Sequence, residues 1–130
     1  MKWNKIIFFL SFIAVSFYGT TQPATTSPSA GEDTAFVNRL LQQSKDLFTS
    51  DPGKAIALSM QAKTVAEKIN FPKGAAIALK NIGLVNKKQG KYLEGLDYYH
   101  QSLKIYEAIK DNQGMANLYS NIGVIYYDRG

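Results

Sequence analysis

Gly74–Gly90 reads GAAIALKNIGLVNKKQG and Gly114–Gly130 reads GMANLYSNIGVIYYDRG, so the first stretch returns after a shift of 40 residues. Six of the 17 positions are identical: Gly74/Gly114, Ala76/Ala116, Asn81/Asn121, Ile82/Ile122, Gly83/Gly123 and Gly90/Gly130. Chance gives about one identity in such a window, and an internal period of this size marks stacked supersecondary units. Leu84/Val124 and Val85/Ile125 are conservative besides, and a fainter echo runs back through Gln61/Gln101, Glu67/Glu107 and Ile69/Ile109.

Each unit reads as two helices. In Ala76–Gln89, Leu79, Ile82, Gly83 and Asn86 recur at three- and four-residue steps, and Gly90 is placed as a left-handed stop. Leu96, Tyr99, Leu103, Tyr106 and Ile109 continue the spacing through Tyr92–Ile109. In the preceding unit Asp51 serves as an N-cap and Pro52 sits in the first turn, where its missing N–H is harmless. Ala55, Leu58, Ala62, Val65, Ala66 and Ile69 form that helix's apolar stripe, and Phe36, Leu40, Leu41, Leu47 and Phe48 mark a less regular opening helix. No window alternates with period two, so the chain reads as all-α, with helices near 35–49, 52–70, 74–89, 92–110 and 114–129. Small residues recur where helices must approach: Ala55 and Ala62 answer to Gly95 and Ser102, and Gly83 to Gly123. A mid-helix glycine costs up to about 1 kcal/mol relative to alanine, so its return at one register implies close packing.

The order Leu79…Ile82-Gly83…Asn86…Gly95…Tyr99…Ser102, with Tyr119…Ile122-Gly123…Tyr126 opening another copy, resembles the tetratricopeptide repeat. Asn86 departs from it where the family prefers an aromatic, and Gly95 and Ser102 where it prefers alanine. The 40-residue period resembles the longer-helix variety found in bacterial signalling and transcription-regulating proteins. The resemblance spans Phe36–Gly130. It implies a right-handed superhelix of αα-hairpins, about two and a half repeats, whose first helices line a concave surface that binds a protein or an extended peptide. Side chains expected to line that surface are Lys80, Asn81, Leu84 and Lys87, with Asn117, Asn121 and Val124 in the next copy. Asn81 and Asn121 are the central pair, because an amide offers both a donor and an acceptor to a peptide backbone. In several peptide-binding members of the family, asparagine at this position has that role. Gly130 aligns with Gly90, the turn inside a unit, so the array is expected to continue. Such an array resembles the N-terminal sensor region of a longer bacterial signalling protein. The alternative is a structural spacer or dimerisation segment before an unseen nucleotide cyclase, histidine kinase or DNA-binding output domain.

Outward from the repeat, Thr20–Thr34 (TTQPATTSPSAGEDT) has no large apolar residue and reads as a flexible linker over 22–34. Before it, Lys2 and Lys5 precede the 13-residue apolar run Ile6–Tyr18. That run is short of the roughly 20 residues that span a bilayer and fits a secretory signal peptide over 1–21. The chain is therefore expected to be exported, periplasmic or membrane-associated on the extracytoplasmic side. An uncleaved anchor is the alternative, and membrane contact is expected only through this segment or an unseen transmembrane helix.

The 130 residues carry no cysteine, which removes disulfides, metal thiolates and thiol nucleophiles. Of the formal +5 charge, two units are Lys2 and Lys5, and the rest is too scattered to suggest nucleic acid. The Lys87–Lys91 cluster reads as a solvated turn, and Tyr98, Tyr99, Tyr106, Tyr119, Tyr126 and Tyr127 read mostly as core rather than as a platform for bases. His100 is the single histidine, so neither a catalytic constellation, a metal site nor a cofactor is expected.

Overall fold

The computed structural model describes residues 30–130. The leading segment 1–21 and residues 22–29 of the linker lie outside the described residues. Five α-helices of 17 residues follow one another: α1 (Ala30–Asp46), α2 (Pro52–Lys68), α3 (Pro72–Lys88), α4 (Tyr92–Ala108) and α5 (Asn112–Asp128). No strand occurs among the described residues. Each helix packs on the next in sequence, and α1 also touches α3 directly, which puts the odd-numbered helices in one layer and α2 and α4 in the other. This is an all-α hairpin solenoid.

The regularity comes from the turns. Successive helices from α2 onward start 20 residues apart, with three-residue connections whose middle residue is left-handed: Asn70 (φ 55°), Gly90 (φ 74°) and Lys110 (φ 56°). In each turn the following N–H reaches back across the helix end, from Phe71 to the Ala66 carbonyl (2.7 Å), from Lys91 to Asn86 (2.9 Å) and from Asp111 to Tyr106 (2.9 Å). These bonds satisfy carbonyls that a helix end leaves open. The stop placed at Gly90 is thus one of three identical stops, two of them at residues other than glycine.

Helix starts are capped unevenly. Asp51 accepts from the Lys54 N–H at 3.0 Å ahead of Pro52, as the sequence predicts, and Asp111 accepts from the Gly114 N–H at 2.9 Å. That N–H, followed by the Lys73 ammonium 3.2 Å away, holds the Asp111 carboxyl below its ordinary value. The cap is complete above the usual carboxylate range and weakens as pH falls through the lowered value.

Two apolar clusters share α3. Val37, Leu40, Leu41, Ala62, Ala66, Ala75 and Ala78 join α1, α2 and α3. Ala76, Leu96, Tyr99, Leu103, Tyr106, Leu118, Ile122 and Ile125 join α3, α4 and α5. A fully buried large apolar side chain contributes about 1.5–3 kcal/mol relative to exposure, so each cluster accounts for much of its hairpin's stability. Helix α3 carries two buried stripes: Gly74, Ala78, Asn81 and Val85 on one side, and Ala76, Leu79, Gly83 and Asn86 on the other. Gly83 is required at the second, because a Cβ there would come within 2.6 Å of the Tyr99 ring and 3.1 Å of the Gly95 carbonyl oxygen.

Three details differ from the sequence expectation. Helix α1 begins at Ala30, so residues 30–34 of the expected linker are helical; Asp33 then lies in its first turn, where an acidic side chain complements the helix dipole. Val37 rather than Phe36 enters the core, and Phe36 is 36% exposed with the Arg39 guanidinium 5.8 Å from its ring centroid. Tyr99 and Tyr106 are core residues, but Tyr119, Tyr126 and Tyr127 are exposed, and among the described residues no helix covers their side of α5.

Candidate partner-binding face

The face shared by α1, α3 and α5 is built from positions that neither buried stripe of α3 uses. On α3, Ile77, Lys80 and Leu84 fall along one line at three- and four-residue steps and are half-buried. Their equivalents on α5, Asn117, Ser120 and Val124, are exposed. Lys87, half-buried at the end of α3, places its ammonium 4.0 Å from the Asp128 carboxylate at the end of α5 and so ties the two helices together. The remaining turn residues, Lys88, Gln89, Gly90 and Lys91, are exposed.

Lys80 is the electrostatically distinctive residue here. Burial, and then the positive charge of Lys45 on α1, lower its affinity for a proton below that of an ordinary lysine. No carboxylate among the described residues lies within ion-pair distance of it. The Lys80 ammonium is held with part of its hydration removed and a like charge nearby, both of which disfavour its charged form.

Asn81 does not belong to the accessible face. It is 1% exposed, and its amide donates to the Leu41 carbonyl on α1 at 3.4 Å. The expected pairing of Asn81 with a peptide backbone is therefore corrected: its donor joins one unit to the next, because α1 lies directly on this side of α3. Spacing carried the signal, since Asn81 lies three residues after Ala78 and four before Val85, both buried. Asn121 stands at the equivalent register of α5, half-buried and without such a bond to α3. Of the seven expected lining residues, Lys80, Leu84, Lys87, Asn117, Asn121 and Val124 remain accessible in whole or part.

Sequence reasoning missed Lys45. It matters through its closeness to Lys80 on a helix of another unit, which no periodicity within one helix reveals. No group of three or more histidine, cysteine or acidic side chains that could hold a metal ion occurs among the described residues. His100 is exposed on α4. Near the α1–α2 turn, Gln43, Asp46, Leu47, Lys54 and Leu58 line an open depression of about 280 Å³ that brings no nucleophile and base together.

Compared with known families, residues 74–130 match the family model described as Tetratricopeptide repeat. None of the curated proteins and none of the solved structures compared with the chain matches it.

Proposed function

We propose, from the membership of residues 74–130 in the tetratricopeptide repeat family, that the chain is a protein-interaction module holding an acidic extended segment of a partner along α1, α3 and α5. Repeats of this family generally mediate protein–protein interaction on a non-catalytic scaffold, so the finer question is which surface and which chemistry. The observation that carries the reading is Lys80, partly desolvated beside Lys45 with no carboxylate in reach. A carboxylate from a partner relieves that repulsion, whereas in the free protein it is a cost. Leu84 and Val124 add apolar contact, and Asn117, Ser120 and Asn121 offer donors and acceptors at the next step along the face. Packed helices lie roughly 8–10 Å apart, so side chains on successive odd helices meet an extended segment about every third residue.

Lys2, Lys5 and the apolar run Ile6–Tyr18 support a module that works outside the cytoplasm. The 40-residue period supports a place in bacterial signal reception. N-terminal sequencing that recovers Met1 from a soluble cytoplasmic pool would remove that part of the reading.

A peptide array probed with the full chain tests the surface. Lys80→Gln, Asn117→Ala and Asn121→Ala combined should weaken capture of an acidic peptide by roughly one to three decades, at about 0.5–1.5 kcal/mol for each lost hydrogen-bonding group. Thermal stability should stay close to that of the parent, and capture should weaken with added salt. Equal capture by parent and triple variant would clear the face of the role. Capture of nothing by the parent would favour a structural spacer.

A further inference from the structure

Lys45 and Lys80 come from different units, and the fold brings them to one place. Helix α1 packs directly on α3, and the Asn81 amide, donating to the Leu41 carbonyl at 3.4 Å, fixes the register of the two helices. Lys45 follows Leu41 by one turn and Lys80 adjoins Asn81, so the last turn of α1 carries a positive charge beside the Lys80 side chain. The two lysines are placed differently. Lys45 is exposed at the C-terminal end of α1, where the helix dipole favours a cation. Lys80 is half-buried in the middle of α3, between Ile77 one turn before it and Leu84 one turn after it, themselves half-buried. No carboxylate among the described residues lies within ion-pair distance of either lysine. The nearest acid in sequence, Asp46, accepts from the Gln42 amide at 2.9 Å, and Lys87 two turns along α3 is held by Asp128.

We propose that Lys80 is a modification site that takes up dissolved carbon dioxide as a carbamate, held by the Lys45 ammonium. The reaction needs a neutral amine, because the nitrogen lone pair makes the new bond. Burial, and then the Lys45 charge, favour that form of Lys80, while the end of α1 keeps Lys45 charged. The Lys80 ammonium gives one proton to the solvent buffer. Its Nζ lone pair then bonds to the carbon of carbon dioxide, one C=O π pair moves onto oxygen, and Nζ loses a second proton to the buffer. The product is an anion where an ammonium stood, so repulsion from Lys45 becomes attraction, with no carboxylate of the chain competing for it. A carbamate reverts when its nitrogen is protonated, and half-burial between Ile77 and Leu84 limits the water that delivers the proton. An exposed lysine has neither the neutral amine nor the fixed counter-charge. On the partner reading given above, and resting on it, the modified side chain repels the acidic segment that the free lysine attracts, so carbon dioxide would regulate that face.

The probe is isotope-labelled bicarbonate, equilibrated with the full chain at slightly alkaline pH. Carbamates are fixed by O-ethylation with a triethyloxonium salt and located by peptide mass spectrometry. Label at Lys80 is expected several-fold above that at the exposed lysines Lys88 and Lys104. Lys45→Gln removes the counter-charge and lets Lys80 hold its proton more firmly, so label at Lys80 should fall several-fold. Lys45→Arg keeps the charge and should keep the label. Position 45 is exposed, so both variants should melt as the parent does. Label at Lys80 no higher than at Lys88 and Lys104 would overturn the proposal, as would equal label in the parent and Lys45→Gln. A loss in Lys45→Arg as large as in Lys45→Gln would overturn it as well. No peptide takes part, so this result and that of the peptide array stand or fall separately.

Discussion

Replacing Tyr99 with alanine is expected to lower the stability of the chain by about 3–5 kcal/mol, the range for truncating a buried aromatic. Small domains hold about 5–15 kcal/mol in total, so this one change removes a large part of the margin. Tyr99 is fully buried and touches Gly83, and it belongs to the cluster that joins α3, α4 and α5. Tyr99→Phe should behave in the opposite way. The hydroxyl has no hydrogen-bond partner, so removing it forfeits nothing and is expected to be neutral or stabilising by up to about 1 kcal/mol. Burial pushes the Tyr99 hydroxyl up to about 12 from 10.0. Because the folded value lies above the unfolded one, the stabilisation is complete below pH 10 and is lost as pH rises through about 12. Urea titrations across that range should show a decline in the parent that is reduced in Tyr99→Phe. A loss below about 1 kcal/mol for Tyr99→Ala would contradict the central place given to this ring.

Gly83→Leu and Gly123→Leu alter equivalent positions and should move stability in opposite directions. At Gly83 the new side chain collides with the Tyr99 ring and the Gly95 backbone, for an expected loss of about 3 kcal/mol or more. At Gly123 nothing stands in the way, and exchanging a mid-helix glycine for leucine should gain up to about 1 kcal/mol. The first hairpin supplies a rescue. Helix α1 precedes α3 by 42 residues and α2 precedes α4 by 40, so Leu41 stands where Gly83 does and Ser59 where Tyr99 does. In both pairs a large residue stands at one register and a small one at the other, with the sizes reversed between the hairpins. Adding Tyr99→Ser to Gly83→Leu should therefore recover about half of the loss or more, a coupling that a double-mutant cycle of melts measures. Independent, additive losses would show that the two hairpins do not share one packing scheme.

The difference between 42 and 40 also explains what the sequence concealed. From Asp51 onward the helices keep strict register, and their spacing, the stop at Gly90 and the small residues Gly83, Gly95 and Ser102 were legible from residue types alone. The α1–α2 connection, residues 47–51, is two residues longer than the later turns, which shifts α1 out of the 40-residue alignment and hides its likeness to α3. Ser44 is an example. It matches Asn86 only after the 42-residue shift, and its hydroxyl bonds to the Ala55 carbonyl (2.8 Å) and the Ser59 hydroxyl (2.7 Å), polar contacts that no apolar periodicity reports. The peptide face was legible in outline, because residues outside the apolar stripes define it. Asn81 misled because its register sits at the edge between that face and the stripe, and only the position of α1 decides between them. Gly123 misled for a related reason: a glycine matched to Gly83 predicts a close neighbour, yet exposure depends on whether another helix lies there.

The most direct measurement is amide chemical-shift mapping of the full chain as an acidic peptide from the array is added. Signals of Lys80, Leu84, Asn117, Asn121 and Val124 should shift together and saturate at one ratio, while exposed residues of the other layer, Met60 on α2 and Lys104 on α4, stay in place. Shifts confined to α2 and α4, with the α3 and α5 residues unmoved, would contradict the assignment of partner binding to the odd-numbered helices.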